Sequence, residues 1–207
     1  MTLTISSSQK YRVTFILIAL NVFMYIYTSI EGGDFFVTQP SASFFQLAQY
    51  NALVFKGAYY QLLTSMFIHG NIVHLGGNML FLLVFGLRGE QMFSLPEYLS
   101  IYILGGLAGN VLSLALGPQL ISVGASGAIF AMFGACAVYA RRSIGQSIVG
   151  ALIFGFFLLM ISSGENVNYL AHIGGLAAGI ALGYIIARRR KPQAVDYQVS
   201  YSYSTIF

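Results

Sequence analysis

Residues 124–130 of the chain read Gly-Ala-Ser-Gly-Ala-Ile-Phe, which places a serine next to glycines where a turn meets an apolar stretch. These glycines let the backbone turn sharply and leave the Ser126 hydroxyl uncovered by neighbouring side chains. A helix that begins at Ser126 would direct its free N–H groups and the positive end of its dipole towards that hydroxyl. Ser126 is therefore a candidate nucleophile, although glycine and serine also serve as packing residues between membrane helices.

The composition around this stretch is that of an integral membrane protein. Of the 207 residues, 57% are hydrophobic and only 8% are charged, whereas soluble domains carry about 25% charged residues. The net charge of +4 does not indicate nucleic-acid binding, because the basic residues fall where membrane topology would place them. The single cysteine, Cys136, excludes an internal disulfide and a multi-cysteine metal site, and its apolar surroundings favour a packing role.

Apolar stretches predict an all-α, polytopic membrane protein with six spans, at about 13–30, 71–87, 98–116, 126–140, 144–161 and 169–187. No small-residue cleavage site follows the first stretch, so we expect it to be a span rather than a signal peptide. The segment 31–68 combines many aromatic residues with scattered polar groups. This mixture is typical of the membrane interface and predicts a membrane-inserted first loop with short, half-buried helices.

The basic residues predict the orientation of the six spans. Nine of the ten lysines and arginines fall on one side, and Lys56 alone falls on the other. Because cytoplasmic loops are enriched in Lys and Arg, both termini are predicted to be cytoplasmic in a multi-pass cell-membrane protein. We divide the chain into a cytoplasmic segment (1–10), a membrane domain (11–190) and a polar cytoplasmic tail (191–207).

Three polar side chains on three spans are predicted to lie at one depth. The second, fourth and sixth spans each end in arginine on the inner side, and a polar residue precedes that arginine by 14 to 16 positions: His74, Ser126 and His172. At 1.5 Å of rise per residue these side chains stand roughly 21–24 Å above the cytoplasmic edge. Asn78 lies on the His74 face, one turn deeper. In a hydrocarbon core about 30 Å thick, a site at this depth opens towards the outer side.

Small residues recur at every fourth position of the two spans that carry Ser126 and His172. They form ridges that permit close backbone contact: Gly127, Ala131 and Ala135 in one span, and Ala171, Gly175, Gly179 and Gly183 in the other. Close contact is what a hydrogen bond between the two side chains requires, and a histidine so placed can take the serine proton and later return it to a leaving amine. Since no carboxylate lies within the spans, we predict a Ser-His dyad rather than a triad.

Other kinds of site fit the pattern less well. A lone membrane histidine often makes a structural hydrogen bond, but three histidines, an asparagine and a serine at one level indicate function. Metal binding is disfavoured, because His69 and His74 are five residues apart and would face different sides of a continuous helix. A channel or transporter would need polar groups spread along a path, whereas here they cluster near the outer side.

In combination the motifs resemble the rhomboid family of intramembrane serine proteases, over about residues 10–190. They are His69-x-x-x-x-His74-x-x-x-Asn78, Gly124-x-Ser126-Gly127 and Ala171-His172-x-x-Gly175-x-x-x-Gly179. The resemblance implies Ser126 as nucleophile, His172 as general base, and an oxyanion hole built from the Ser126 backbone N–H with His74 and Asn78. It also implies that His69 supports the first loop and that the fifth span with its following loop forms a substrate gate.

Four further residues bear on how well the rest of the family pattern is kept. The usual Trp-Arg pair of the first loop is Tyr60-Gln61 here, which leaves the anchoring of that loop open. An aromatic residue one turn after the nucleophile, often tyrosine, is Phe130, which offers no hydroxyl but can pack on the His172 ring. Glu90 matches an acidic position after the second span that ties down the cytoplasmic end.

The sequence therefore predicts a protease that cuts peptide bonds in or next to transmembrane segments. Its expected partners are transmembrane protein substrates and the lipid bilayer, and no nucleic acid, metal or other cofactor is implied. The alternative is a non-catalytic rhomboid-like protein that binds or dislocates membrane helices. The presence of both Ser126 and His172 favours the enzyme.

Overall fold

In the computed structural model of the chain, the described residues are 12–37, 41–144, 150 and 167–190. They form a helical bundle, with long helices α1 (Arg12–Gly32), α5 (Ile72–Met92), α6 (Leu95–Ser113), α7 (Ser126–Ile144) and α8 (Tyr169–Arg189). Four of them are long and apolar enough to cross a membrane: α1, α5, α8, and α6 together with its continuation to Leu116. Helix α7 contains a shorter apolar helix. The chain is thus a polytopic, predominantly helical membrane protein, as predicted.

Some of the predictions fall on parts of the chain that the structure does not describe. Most of the predicted fifth span (144–161), the loop residue Glu165 and the terminal segments 1–10 and 191–207 lie outside the described residues. The helices that carry Ser126, His172, His74 and Asn78 are all described.

The segment 88–97, which the predicted spans leave as a polar loop with Arg88, Glu90 and Glu97, is mostly helical, so that prediction is wrong in extent. Helix α5 continues to Met92, so Arg88 and Glu90 lie in its last turns, and Glu97 lies in the first turn of α6. The Glu90 carboxylate accepts a 2.6 Å hydrogen bond from the Thr14 backbone N–H at the start of α1. Charged side chains at a helix end can reach the membrane interface, so these charges do not end the helix.

The first loop is folded into short elements, as predicted, but it also contains strand structure that was not. Its helices are α2 (Ala42–Leu47), α3 (Asn51–Val54) and α4 (Gln61–Thr64), and 3-10 turns follow at Ser65–Phe67 and, after α6, at Leu114–Leu116. Strand β1 (Gln49–Tyr50) pairs antiparallel with β2 (Ile121–Ser122), with Gln49 opposite Ser122. This two-stranded sheet joins the first loop to the loop that precedes Ser126.

Helices α7 and α8 pack along the two predicted ridges of small residues. Gly175 faces Gly127, Gly179 faces Ala131, and Gly183 faces Ala135. A Cβ atom added at Gly183 would lie 2.6 Å from the Ala135 Cα, and Cβ atoms at the other two glycines would meet backbone carbonyl oxygens of α7. The missing side chains therefore allow backbone-to-backbone contact between the helices that carry Ser126 and His172.

Candidate active site

Ser126 and His172 meet where α7 and α8 begin. Ser126 is the first residue of α7, and His172 lies in the first turn of α8, which begins at Tyr169. The Ser126 Oγ and the His172 Nε2 are 2.8 Å apart, within hydrogen-bond distance. This contact depends on the close approach of Gly175 to Gly127 just below it, where a Cβ atom would meet the Gly127 carbonyl oxygen. The structure therefore brings together the two side chains that the depth estimate placed at one level.

The His172 ring is held from one side by an aromatic neighbour on α7. The Phe130 and His172 rings are stacked, with centroids 4.6 Å apart and planes 28° apart. Among the described residues the His172 Nδ1 atom, which is buried, has no hydrogen-bond partner. Within this part of the chain the arrangement is thus a serine, a histidine and an aromatic support, without a third polar member.

His74 approaches the same site from α5. Its backbone N–H donates to the Asn71 side chain, which caps the helix at 2.7 Å. The His74 ring lies against Gly124, where a Cβ atom would be only 2.8 Å from the ring atoms Cε1 and Nε2. Gly124 also has a φ of +120°, a conformation that residues with side chains rarely adopt. Glycine is required at this position for both reasons, and its absence of a side chain lets His74 lie next to the loop that precedes Ser126 (residues 117–125, the serine loop).

Asn78 lies one turn deeper on α5 and is buried. Its Nδ2 donates to the His74 carbonyl oxygen at 2.8 Å, and its Oδ1 has no hydrogen-bond partner among the described residues. One N–H of the amide is therefore committed to its own helix, which leaves one for any other acceptor.

The serine loop is also held by a hydrogen bond to the end of the first loop, a contact that the sequence did not predict. The Gly124 backbone N–H donates to the Ser65 carbonyl oxygen at 2.9 Å. Asn110, on α6, donates to the Ser65 hydroxyl at 3.1 Å and to the Leu62 carbonyl oxygen at 2.7 Å. An asparagine inside an apolar span is expensive unless it has partners, and this was the sequence signal for its role.

Gln61, which stands where the family usually has arginine, anchors the first loop. Its side chain is fully buried, accepts a hydrogen bond from the Tyr50 N–H and donates to the carbonyl oxygens of Phe45 and Gln46, all at 3.1 Å. Tyr60, in contrast, is half exposed. The first loop is therefore anchored by a neutral amide.

His69 lies closer to the site than the sequence predicted. Helix α5 begins only at Ile72, so His69 precedes it and is not on an opposite helix face; its ring makes an edge contact with the His74 ring, with centroids 5.1 Å apart. Burial and, secondarily, the neighbouring His74 lower the pKa of His69 to about 3. Its imidazole is therefore neutral near pH 7. Across the described ranges, His, Cys, Asp and Glu side chains form no group of three that could hold a metal ion.

A cavity of about 630 Å³ lies beside Ser126 and His172. Its walls carry the polar groups of Ser126, His172, His74 and Asn78, and an aromatic lining is provided by Phe81, Phe85, Phe130 and Phe133. A serine hydroxyl bonded to an imidazole, beside a partly apolar cavity, is an arrangement that can perform acyl transfer on an apolar segment.

The fold and this cavity define a multi-pass membrane protein with a polar site between its helices, and sequence comparison places it in a family. Residues 56–189 match the Rhomboid domain. The chain belongs to the rhomboid family.

Several relatives in that family bear protease names. The chain is 34% identical over 177 residues to the rhomboid protease GluP of Bacillus subtilis, covering 80% of this chain and 33% of GluP. It is 28% identical over 187 residues to the putative rhomboid protease YdcA of the same organism, covering 86% and 90%. It is 33% identical over 150 residues to RHOMBOID-like protein 6, mitochondrial, of Arabidopsis thaliana, covering 70% and 49%. The chain thus spans half or less of two of these three relatives.

Proposed function

We propose that this chain is an intramembrane serine protease in which Ser126 and His172 form a catalytic dyad. The observation that carries the proposal is the 2.8 Å contact between Ser126 Oγ and His172 Nε2 inside the cavity. Membership of a family with protease-named relatives supports it. His172 would take the proton as Ser126 Oγ attacks the scissile carbonyl carbon, and would then give it to the leaving amine. Water would hydrolyse the acyl-enzyme, with His172 again as base.

The negative charge formed during attack needs donors close to Ser126. The Ser126 backbone N–H is the first of α7, and the first N–H groups of a helix have no intrahelical acceptor. The His74 ring lies across Gly124 from it, and Asn78 lines the same cavity. We assign these three groups to the oxyanion hole, where fixed donors stabilise the developing charge more than water would.

The substrates we propose are transmembrane segments of other proteins, which would reach the cavity within the bilayer. We further propose that both termini are cytoplasmic, that the site opens towards the outer side, and that residues 11–190 form the protease domain. The exposed Arg88, Arg141 and Arg188 support this orientation, because they lie towards the helix ends remote from Ser126.

The proposal is tested with purified protein in detergent, using a serine-directed fluorophosphonate and a transmembrane substrate. Ser126→Ala and His172→Ala should each abolish cleavage and labelling while the protein stays folded, because each removes half of one proton-transfer unit. Ser43→Ala is the matched control, since that hydroxyl bonds Tyr27 outside the cavity, and it should leave both readouts unchanged. Cleavage that persists in Ser126→Ala would refute the serine mechanism. A folded wild-type protein without cleavage or labelling would favour a binding or dislocation function.

A further inference from the structure

A second hydrogen bond links the loop before Ser126 to the helix that carries His172. Asn168 Nδ2 donates to the Ser122 Oγ at 2.9 Å. Ser122 precedes Ser126 by four residues, and Asn168 precedes His172 by four residues. The Asn168–Ser122 bond therefore joins the same two segments as the Ser126–His172 contact, four residues earlier in each. Both Asn168 and Ser122 line the cavity.

The Asn168 side chain also holds the start of α8. Its Oδ1 accepts a 3.1 Å hydrogen bond from the Ala171 backbone N–H, which caps the helix immediately before His172. One amide thus uses its oxygen to fix the first turn of α8 and its nitrogen to tie that turn to the serine loop. A helix cap needs only the oxygen, so the bond to Ser122 is an additional constraint.

Ser122 is itself fixed, so a bond to it defines a position. It lies in β2, paired with Gln49 of the first loop. Gln49 is fully buried, and its Nε2 lies within hydrogen-bond distance of the Asn51 side chain, the Asn110 carbonyl oxygen and the Ser113 hydroxyl. At the other end of this helix pair, Arg190 donates to the Tyr139 hydroxyl on α7, and between the two ends α7 and α8 meet largely along the small-residue ridges. The bond from Asn168 to Ser122 can therefore set the position of the first turn of α8, far from the Arg190 contacts.

We propose that Asn168 is a positioning residue that, through Ser122, sets the approach of His172 to Ser126. The inference rests on the proposed protease function. Loss of the bond lets the first turn of α8 shift relative to the serine loop, which lowers turnover and serine reactivity. It leaves substrate affinity unchanged, because the bond contributes to alignment of the reacting groups rather than to binding.

The test compares Ser122→Ala, Ser122→Thr, Asn168→Ala and the Ser122→Ala/Asn168→Ala double variant in the full chain. Each is measured for kcat, KM, fluorophosphonate labelling rate and unfolding temperature. Ser122→Ala removes the acceptor but keeps the α8 cap, and we expect a loss of about 3- to 10-fold in kcat and labelling rate, the range of one hydrogen bond. Ser122→Thr keeps the hydroxyl and should restore both. KM should stay within about twofold throughout.

The two single changes should not be additive. Because Asn168→Ala already breaks the bond, adding Ser122→Ala to it should cost less than about twofold more. Gln119→Ala is the matched control, since Gln119 links the same loop to Tyr50 at 3.3 Å without reaching α8, and it should leave kcat unchanged.

Wild-type kcat and labelling rate in Ser122→Ala would overturn the inference, as would fully additive losses or a fall in unfolding temperature without a fall in rate. Failure of the proposed function itself would look different, because the wild-type protein would then neither cleave nor label.

Discussion

The glycine ridge of α8 offers a graded test of how the fold supports the site. The perturbation is a single methyl group, introduced as Gly175→Ala, Gly179→Ala or Gly183→Ala. At Gly183 the new Cβ would start 2.6 Å from the Ala135 Cα and must reach 3.4 Å for ordinary contact, a displacement of about 0.8 Å. At Gly179 the Ala131 Cα is already at 2.5 Å and its carbonyl oxygen is nearer still, so a larger displacement is needed.

The obstructing atoms belong to the backbone of α7, so the strain is relieved only by moving the two helices apart. Overpacking of this kind costs about 1–3 kcal/mol of stability. The same movement separates Ser126 from His172, and a misplacement of about 1 Å can lower turnover about 10²-fold. Gly175→Ala should cause the greatest loss of activity, because it lies one turn from His172 and meets Gly127 beside Ser126. Gly183→Ala, two turns further, should cause the smallest.

The assay measures unfolding in detergent together with the fluorophosphonate labelling rate of the folded protein. Gly76→Ala in α5 is the matched control, because it makes the same change within a helix where an added Cβ has nothing within 4 Å. It should leave both readouts close to wild type. If Gly179→Ala matches this control in stability and in labelling, α7 and α8 do not depend on backbone contact, and the packing argument is refuted.

Three further outcomes are expected. His74→Ala should lower kcat by about 10²–10³ with little change in KM, and Asn78→Ala should lower it less, because one N–H of Asn78 is already committed to its helix; wild-type kcat in both would remove α5 from the oxyanion hole. In intact cells Lys56→Cys should react with an impermeant maleimide and Arg88→Cys should not, and the reverse would invert the topology. Burial lowers the pKa of His69 from 6.5 to about 3, so between about pH 6.5 and pH 3 His69 should lower stability by up to about 1.4 kcal/mol for each unit of falling pH. His69→Gln should reduce the measured slope by that amount, and an unchanged slope would contradict the assignment.

The sequence predicted the long helices and the contact between Ser126 and His172, because a membrane restricts the secondary structure that a spanning segment can adopt. A spanning segment must satisfy its backbone internally, so an apolar run of sufficient length is a helix. A fixed rise per residue then converts the distance to a terminal arginine into a depth. The spacing of Gly175 and Gly179 identified the face of α8 that contacts α7, since a four-residue repeat follows one side of a helix.

The first loop could not be predicted in the same way, because its contacts are distant in sequence and polar. Gln49 and Asn51 both bond to Ser113, which is 64 residues from Gln49 and 62 residues from Asn51. No local sequence pattern predicts such partners. Gln61 in the sequence is merely a neutral residue in place of an expected arginine. Its burial and three hydrogen bonds emerge only when the short helices and β1 are folded around it.

The contacts beside Ser126 and the contacts of Arg190 are made by different chemical groups, and the difference bears on the proposed catalysis. Remote from Ser126, Arg190 pairs with the Glu97 carboxylate and donates to Tyr139. Around the site the bonds are made by amides and hydroxyls, and no carboxylate lines the cavity among the described residues. Hydrogen-bonded neutral groups are less costly to bury than charges. A neutral network can therefore fix the geometry of the site without burying a charge beside the proposed dyad.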